Sequence, residues 1–468
     1  MLQFILNDRV VETSQPTGMT LLDFIRYNQH LIGTKIGCRE GDCGACTVLI
    51  GALKNGHIKY ESMTSCITPL GNIAGKHVVT VEGLNMGELS PVQQAMVDHS
   101  GTQCGFCTPG FVVSLSGYAL SELPVSFENV IQSIDGNICR CTGYKSIERA
   151  AEEIYHLMAE KDINNPIDWS VENHFVPDYF KKIKEQLLAI QQANQPAAHI
   201  ANTPVGGGTD LYVQRHDEMH DEDIDFVFDQ KSLNTIILND DYCQIGGATT
   251  ASDLLHSNDM QVMFPKLKEH LSLVSSTPIR NMGTVAGNLV NASPIGDLTA
   301  FFIGLNSQIT LKGISAEERT INLKDFYLGY KVIDKRSDEL VRAISFPVLD
   351  EFTKFNFEKV SKRTYLDIAS VNSAMRITVK QEQIEEIHIS AGGVGPTPKF
   401  LAETCLYLQG KKLTLDSVKG ALAVLQKEIA PISDARGSEE YKRLAMRQLV
   451  YGHFVALFPN QFRISDLL

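Results

Sequence analysis

The chain opens on an apolar run, LQFIL, that meets the polar residues Asn7, Asp8 and Arg9 before apolar character resumes, a pattern that predicts a short β-hairpin. Leu21 to His30 has the spacing of a helix, and Cys46 to Ile50 reads as a strand. Further on, Thr108-Pro109 suits a helix entry ahead of the apolar stretch Phe111 to Leu120, and Tyr144 to Glu160 reads as another helix. After Glu160 the periodicity is lost in KDINNPIDWSVENHFVPD, where Asn, Asp and Pro gather. This predicts an interdomain linker at 161–177, with Trp169 as the anchoring aromatic of a surface loop. From Tyr179 the pattern is helix, then strand and turn.

A length of 468 residues exceeds one ordinary core and implies three or four folding units. The formal net charge of -13, with no block of Lys or Arg, argues against nucleic acid as a partner. The first residues lack the basic region and cleavage site of a signal peptide. The longest apolar stretch, around Phe111 to Leu120, is interrupted by Ser114, Ser116 and Gly117 and falls short of the roughly 18 residues a membrane helix needs. The expectation is a soluble, cytoplasmic protein without a membrane anchor.

Of ten cysteines, eight fall in the first third of the chain. Without an export signal, such clustering favours metal thiolates over disulfides. Cys38, Cys43 and Cys46 form C-x4-C-x2-C, followed by Cys66, the spacing of plant-type [2Fe-2S] sites. Such a loop turns its amides toward a compact cluster, and Gly37, Gly41 and Gly44 give it backbone freedom. Hairpin, helix, loop and strand in this order are what a ferredoxin-like β-grasp domain presents. Structural zinc is the alternative for four cysteines, although zinc ribbons usually pair two C-x2-C knuckles. The second group, Cys104-Gly-Phe-Cys107 and Cys139-Arg-Cys141, puts two pairs near helical segments, where they can grip one cluster inside a small bundle. For C-x2-C alone a redox dithiol would serve equally.

Two glycine-bearing strings follow. In Pro204-Val-Gly-Gly-Gly-Thr-Asp-Leu211 the amides of 206–210 could cradle a diphosphate, or the glycines could mark a plain turn. The string is neither G-x-G-x-x-G nor a Walker loop. The stretch from Thr277 to Asn288, running on to Asp297, alternates small residues with amides and hydroxyls, as a ligand-lining loop or a tight crossover would. His388, Cys405 and Cys243 lie in apolar settings that suit burial.

The strings GCREGDCGACTV, QCGFCTPG and NICRCTGY, in this order, resemble the iron-sulfur region of the xanthine oxidase and aldehyde oxidase family. GGGTD, IGGATT and the 277–297 region are similar to the flavin domain of that family and of carbon monoxide dehydrogenase flavoprotein subunits. ISAGGVGPTPKF and YKRLAMRQLV resemble the small domain that closes the flavin module. The resemblance implies an α+β multidomain chain. A ferredoxin-like [2Fe-2S] domain would span 1–84, a helical-bundle [2Fe-2S] domain 85–160, an α/β FAD-binding domain 178–352 and a small α/β C-terminal domain 353–468. It implies that Cys38, Cys43, Cys46 and Cys66 hold the cluster nearer the flavin, and that Cys104, Cys107, Cys139 and Cys141 hold the one nearer a molybdenum cofactor. Gln103 and Cys141 would lie against the partner's pterin. Val205, Gly206, Gly207, Gly208, Thr209, Asp210, Leu211, Thr284, Gly287, Asn288 and Asp297 would contact FAD. Lys359 takes the place of a lysine near the flavin, with an exposed surface lysine as the alternative.

The function so implied is electron transfer from a molybdopterin-binding large subunit on a separate polypeptide, through two [2Fe-2S] clusters to FAD and on to NAD+, during oxidation of hypoxanthine and xanthine to urate. The expected assembly is a dimer of heterodimers. No catalytic residue is expected beyond the cofactor contacts, because the cofactors carry the chemistry. Leu271-Ser-Leu-Val-Ser275 stands where some family members carry an aromatic near the flavin ring, which keeps an oxidase or quinone-linked role open beside NAD+. The same electron-transfer role in an aldehyde, nicotinate or aromatic-CoA hydroxylase is the alternative, and a redox-sensing protein without turnover is a second.

Overall fold

The computed structural model describes residues 1–193, 203–313 and 315–467. They form two compact units, Met1–Phe226 with Ser276–Gly283, and Val227–Ser275 with Thr284–Leu468.

The first unit begins with five strands: β1 (Leu2–Leu6), β2 (Arg9–Thr13), β3 (Thr47–Lys54), β4 (His57–Thr64) and β5 (His77–Val79), in the order β2-β1-β5-β3-β4. β1 runs parallel to β5 and the other pairs are antiparallel, the β-grasp arrangement expected from the sequence. Asn55 and Gly56 close the β3–β4 hairpin with φ of 51° and 83°, both left-handed, as a two-residue turn matched to the strand twist requires. The helix expected at Leu21–His30 is present in a different form. One α-turn at Leu21–Asp23, capped by Thr20, widens into a π-turn at Phe24–Asn28, and His30 is left-handed.

Four helices follow, Pro91–Asp98, Thr108–Ala119, Phe127–Ser133 and Lys145–Leu157. The first starts with a capping box between Ser90 and Gln93 and has Pro91 at its first turn, where the missing N–H leaves no bond unmade. Thr108–Ala119 is buried almost all round, which makes it the bundle's central element. Lys145–Leu157 buries Ile147, Ala150, Ala151 and Ile154, one apolar stripe at helical spacing.

The segment 161–177 is not a free linker. It contains the helix Pro166–Glu172, and Val171, Phe175 and Val176 are buried in the same core as Phe111. Trp169 tilts against Phe175 at 5.2 Å between ring centres, so it belongs to the edge of that core and not to a surface loop. Seven helical residues are too few to display a period, and the burial comes from contacts distant in sequence. The helix Phe180–Ala193 adds Phe180, Ile183 and Leu187 to the same core. Short parallel strands β6 (Thr203–Val205) and β7 (Ile224–Phe226) end the unit's main stretch.

In the second unit, β8 (Ile236–Leu238), β9 (Tyr242–Gly246), β10 (Gln308–Gly313) and β11 (Glu318–Asn322) join a long strand beyond a hairpin of β12 (Tyr327–Gly329) and β13 (Val332–Ile333). That strand, β14 (Glu339–Pro347), is central in the order β11-β10-β14-β9-β8. A second antiparallel sheet follows the chain through β15 (Thr353–Val360), β16 (Val371–Lys380), β17 (Gln383–Ala391) and β18 (Lys399–Phe400). Phe264, Phe301, Phe302, Phe346, Phe355 and Phe357 fill the core of one part. The helices Leu415–Glu428 and Glu439–Leu457 contribute to a second core with the inner residues of β16 and β17. Cys243 and Cys405 are buried, and burial pushes both thiols up to about 12, as inert core residues. His388 departs from the expectation of core burial: it is partly exposed and its Nε2 meets Glu386 Oε1 at 2.8 Å.

Candidate functional site

Cys38, Cys43 and Cys46 occupy the loop between the π-turn and β3, and Cys66 sits on the single 3-10 turn Ser65–Ile67 after β4. The antiparallel register pairs Thr47 with Thr64, which brings the residues just outside this pair, Cys46 and Ser65-Cys66, together. Ser65 secures the approach, its N–H (3.3 Å) and hydroxyl (2.7 Å) both donating to the Cys46 carbonyl. The Cys38 thiol interacts with those of Cys43 and Cys66, and Cys46 with Cys66. The Cys38 N–H donates to Cys43 Sγ at 3.4 Å and the Glu40 N–H to Cys38 Sγ at 3.3 Å, so backbone amides face the sulfurs. Gly41 and Gly44 have φ of 79° and 67°, conformations a side chain would resist; Gly37 matters for closeness, since a Cβ there would stand 2.6 Å from Cys43 Sγ.

Contact among the sulfurs splits their acidities. Cys43 and then Cys66 hold the Cys38 thiol far below its usual range, while the contact with Cys38 pushes Cys43 up. Cys46 is lowered by Cys66, and Cys66 is raised by Cys38 and Cys46.

The second quartet is built at the start of Thr108–Ala119, where Cys107 is the cap residue, and in the turn before Lys145–Leu157. Cys104 and Cys141 place their sulfurs 3.5 Å apart, and Cys107 interacts with Cys139. Thr142 donates its hydroxyl (3.2 Å) and N–H (3.5 Å) to Cys139 Sγ. Burial alone would raise Cys139, but these donors hold it below its usual range, whereas burial pushes Cys107 up to about 12. The Phe106 amide lowers Cys104, and Cys104 in turn raises Cys141. Cys104, Cys141 and Gln103 are exposed; Cys107 and Cys139 are buried.

Among the described residues, no group of three or more His, Cys, Asp or Glu side chains is arranged as a site for a single metal ion. Four thiols gathered through pairwise contacts, with inward amide or hydroxyl donors, fit a two-iron cluster, in which the four thiolates are shared between two irons and hydrogen bonds reach the sulfurs. The two loops are joined directly: the Ile138 N–H donates to the Cys43 carbonyl at 3.0 Å and Asn137 Nδ2 to the Gly44 carbonyl at 3.1 Å.

Sequence reasoning missed the group that braces this junction. The stretch Ser276–Gly283, which the sequence offers as part of a ligand-lining loop, belongs to the first unit. Its Arg280 Nη2 meets Asp135 Oδ2 at 2.7 Å, both side chains no more than 3% exposed. Asp135 Oδ1 accepts from the Thr277 N–H at 2.7 Å. Separated by 145 positions, the partners leave no local signal in the sequence.

The candidate flavin residues divide between the units. In the first, Val205 ends β6, Gly208 has φ 83°, and a Cβ at Gly207 would stand 1.9 Å from the Met282 carbonyl oxygen. Asn72 Nδ2 donates to the Gly206 carbonyl at 2.8 Å, and Thr209 and Asp210 lead into the short helix Leu211–Gln214. This backbone is packed from behind and kept free of side-chain bulk, a turn that suits close approach by a diphosphate. In the second unit, Thr284 caps the helix Val285–Val290 by accepting from the Gly287 N–H at 3.1 Å, and Asn288 Oδ1 accepts from the Thr299 N–H at 3.2 Å. Lys359 is not a surface lysine. Its side chain is 1% exposed, and Nζ meets Asp297 Oδ2 at 2.7 Å and the Leu273 carbonyl at 2.6 Å. Asn372 Nδ2 donates to the other Asp297 oxygen at 2.7 Å.

Four domain families match the chain: a 2Fe-2S iron-sulfur cluster binding domain over residues 4–70, a [2Fe-2S] binding domain over 80–152, the FAD binding domain in molybdopterin dehydrogenase over 181–349, and the CO dehydrogenase flavoprotein C-terminal domain over 357–456. Similar curated proteins include xanthine dehydrogenase of Emericella nidulans (28% identical; 90% of this chain, 36% of that protein) and xanthine dehydrogenase 1 of Arabidopsis thaliana (27%; 90% and 37%). Aldehyde oxidase 4 of Rattus norvegicus is 25% identical, over 97% of this chain and 39% of its own length. The chain thus spans a little over a third of the curated relatives it matches. A solved carbon monoxide dehydrogenase from Hydrogenophaga pseudoflava, which lacks the Mo-pyranopterin moiety of its cofactor, is similar with a TM-score of 0.50 and 25% identity, over 53% of this chain and 86% of that one. The chain therefore carries two [2Fe-2S]-binding domains, an FAD-binding domain and a flavoprotein C-terminal domain, in the α+β multidomain fold the sequence implies.

Proposed function

We propose that this chain, which carries the iron-sulfur and FAD domains of the xanthine oxidase family, is the electron-transfer subunit of a molybdenum hydroxylase. Electrons pass from a molybdopterin-binding large subunit through two [2Fe-2S] clusters to FAD and on to NAD+, as hypoxanthine and xanthine are oxidised to urate. The observation that carries this reading is the gathering of eight cysteines into two quartets, inside domains of the two [2Fe-2S] kinds, on one chain with an FAD-binding domain. Purine as substrate is supported by the xanthine dehydrogenases among the relatives.

When bound, the clusters supply one-electron carriage and FAD supplies exchange between single electrons and a hydride. Cys38, Cys43, Cys46 and Cys66 would hold one cluster, and Cys104, Cys107, Cys139 and Cys141 the other. The chain's own part is to exclude water from Cys46 and Cys66, which are 1% exposed, and to aim N–H donors at the sulfurs. Thr142 does the same at Cys139. Val205 to Leu211 would receive the FAD diphosphate, and Thr284, Gly287, Asn288 and Asp297 would line the rest of its site. Lys359 orients the Asp297 carboxylate from within the fold. Gln103, exposed beside Cys104, would face the partner's pterin. Working domain extents are 1–84, 85–160, 178–352 and 353–468, with the packed segment 161–177 joined to the first unit's core. No helix among the described residues is long and apolar enough to cross a membrane. The proposed setting is the cytoplasm, and the proposed assembly a dimer of heterodimers.

The test is anaerobic purification with assay of iron, flavin and NADH-dependent bleaching of the clusters, then xanthine-dependent NAD+ reduction with the large subunit present. Fewer than four irons per chain, or clusters that neither NADH nor a quinone analogue can reduce, would refute the electron-transfer role. Activity on an aldehyde, nicotinate or an aromatic CoA ester without activity on purines would select the second reading, which similarity to aldehyde oxidase 4 and to carbon monoxide dehydrogenase supports.

A further inference from the structure

We infer that the Asp23–Arg39 ion pair is a positioning clip for the first cysteine quartet, holding the amide-to-sulfur bonds that set the reduction potential of its cluster. The inference rests on the reading of Cys38, Cys43, Cys46 and Cys66 as cluster ligands.

Arg39 lies between Cys38 and Glu40 with φ 59°, a left-handed conformation uncommon for a residue with a Cβ and favoured here by its contacts. This turn brings the Glu40 N–H to 3.3 Å from Cys38 Sγ, next to the Cys38 N–H at 3.4 Å from Cys43 Sγ. The side chain is held by a two-pronged ion pair: Arg39 Nη2 meets Asp23 Oδ1 at 2.8 Å, and Nη1 meets Oδ2 at 3.1 Å. His216 Nε2 takes a further bond from Arg39 Nη1 at 3.3 Å.

Asp23 is itself fixed on the far side of the quartet. Thr20 donates its hydroxyl to Asp23 Oδ2 at 2.8 Å and accepts the Asp23 N–H at 3.3 Å. Thr20 also bridges Pro69, and the Leu21 N–H donates to the Thr68 carbonyl at 2.8 Å, so this anchor is two to three residues beyond Cys66. The clip therefore runs from the three-cysteine loop to the turn that carries the fourth cysteine. Burial by itself would raise the Asp23 carboxyl, but the bonds from Arg39 and Thr20 hold it below the usual range, and the pair is ionised at neutral pH.

Amide donors to the sulfurs favour the more negative, reduced cluster, so a relaxed turn lowers the potential. Arg39→Lys separates geometry from charge, because it keeps the positive charge and cannot reproduce the fork. Arg39→Gly removes the clip from a backbone that glycine adopts without strain. Each variant is made in the full chain with its clusters and FAD, and its two cluster signals are followed by electron paramagnetic resonance during a redox titration. The signal altered by Cys38→Ser identifies the first cluster.

At the wild-type midpoint of that cluster, both Arg39 variants should show at least a tenfold lower ratio of reduced to oxidised cluster, a shift of about 59 mV for one electron. The other signal should titrate as in the wild type and serves as internal reference. Midpoints that stay in place, rise, or move for both clusters together would overturn the clip while leaving the electron-transfer reading standing. Absence of two cluster signals from the unsubstituted protein would remove that reading, and the clip with it.

Discussion

Arg280→Ala leaves the Asp135 carboxylate buried beside a vacated guanidinium. The native pair is at most 3% exposed and 2.7 Å apart, so water does not replace the lost partner without the local fold opening. The Thr277 N–H remains as a donor to Asp135 Oδ1, but a single amide does not balance a buried negative charge. Breaking such a pair from one side costs about 3–5 kcal/mol. At 1.4 kcal/mol for each factor of ten, local opening of the junction becomes more populated by roughly two to three and a half orders of magnitude. Amide hydrogen exchange reports this directly: the protected N–H groups of Asn137, Ile138, Thr277 and Arg280 should exchange faster by that factor. The N–H groups of β16 and β17 should keep their wild-type rates. Replacing both partners, Asp135→Leu with Arg280→Met, should restore a large part of the protection, because no unpaired charge then remains. Exchange in Arg280→Ala within threefold of wild type would refute the assignment of this pair as the brace of the two cysteine loops.

Acid should weaken both units ahead of carboxylate titration. Burial holds His77 at about 3, His453 at about 3 and His270 at about 4, so below the unfolded value near 6.5 the unfolded chain binds more protons and stability falls with pH. Each contributes a loss of about 2 kcal/mol by pH 5, seen as a falling urea midpoint from pH 7 downward; a flat profile from pH 7 to 5 would contradict the neutral buried state. Lys359→Met strands Asp297 with Asn372 as its remaining side-chain donor in the triad, and should lower both flavin content and thermal stability by about 3 kcal/mol or more, read by calorimetry and flavin absorbance. Gly207→Ala places a methyl 1.9 Å from a carbonyl oxygen, and purified protein should contain little flavin while retaining both cluster signals. Cys107→Ser should remove one cluster signal and leave the other, with iron per chain halved.

The cysteine quartets were legible because ligand loops are local: C-x4-C-x2-C states its geometry within nine residues, and the register of β3 with β4 needed only the hairpin turn to bring Cys66 home. Long amphipathic helices such as Lys145–Leu157 were legible for the same reason. The helix Pro166–Glu172 was not, since its identity comes from packing against residues far away in sequence. Lys359 illustrates the limit of residue type as a guide to burial. A lysine is normally exposed, and only the folded position of Asp297, 62 residues earlier, explains why this one is interior. The string TPIRNMGTVAGN read as a ligand-lining loop or a tight crossover, and nothing local marked where it divides: its first part serves the first unit and Thr284 onward serves the second.

That division of the string has a bearing on biosynthesis. The ribosome completes Cys139 and Cys141 well before it reaches Arg280, a gap of about 140 residues or roughly 7–30 s at ordinary elongation rates. During this interval Asp135 is without Arg280, its partner in the folded chain, and the nascent iron-sulfur region is missing the eight-residue stretch that completes its unit. Iron loading on the ribosome would meet an unfinished pocket, and a fragment ending at residue 177 would remain permanently in that immature state.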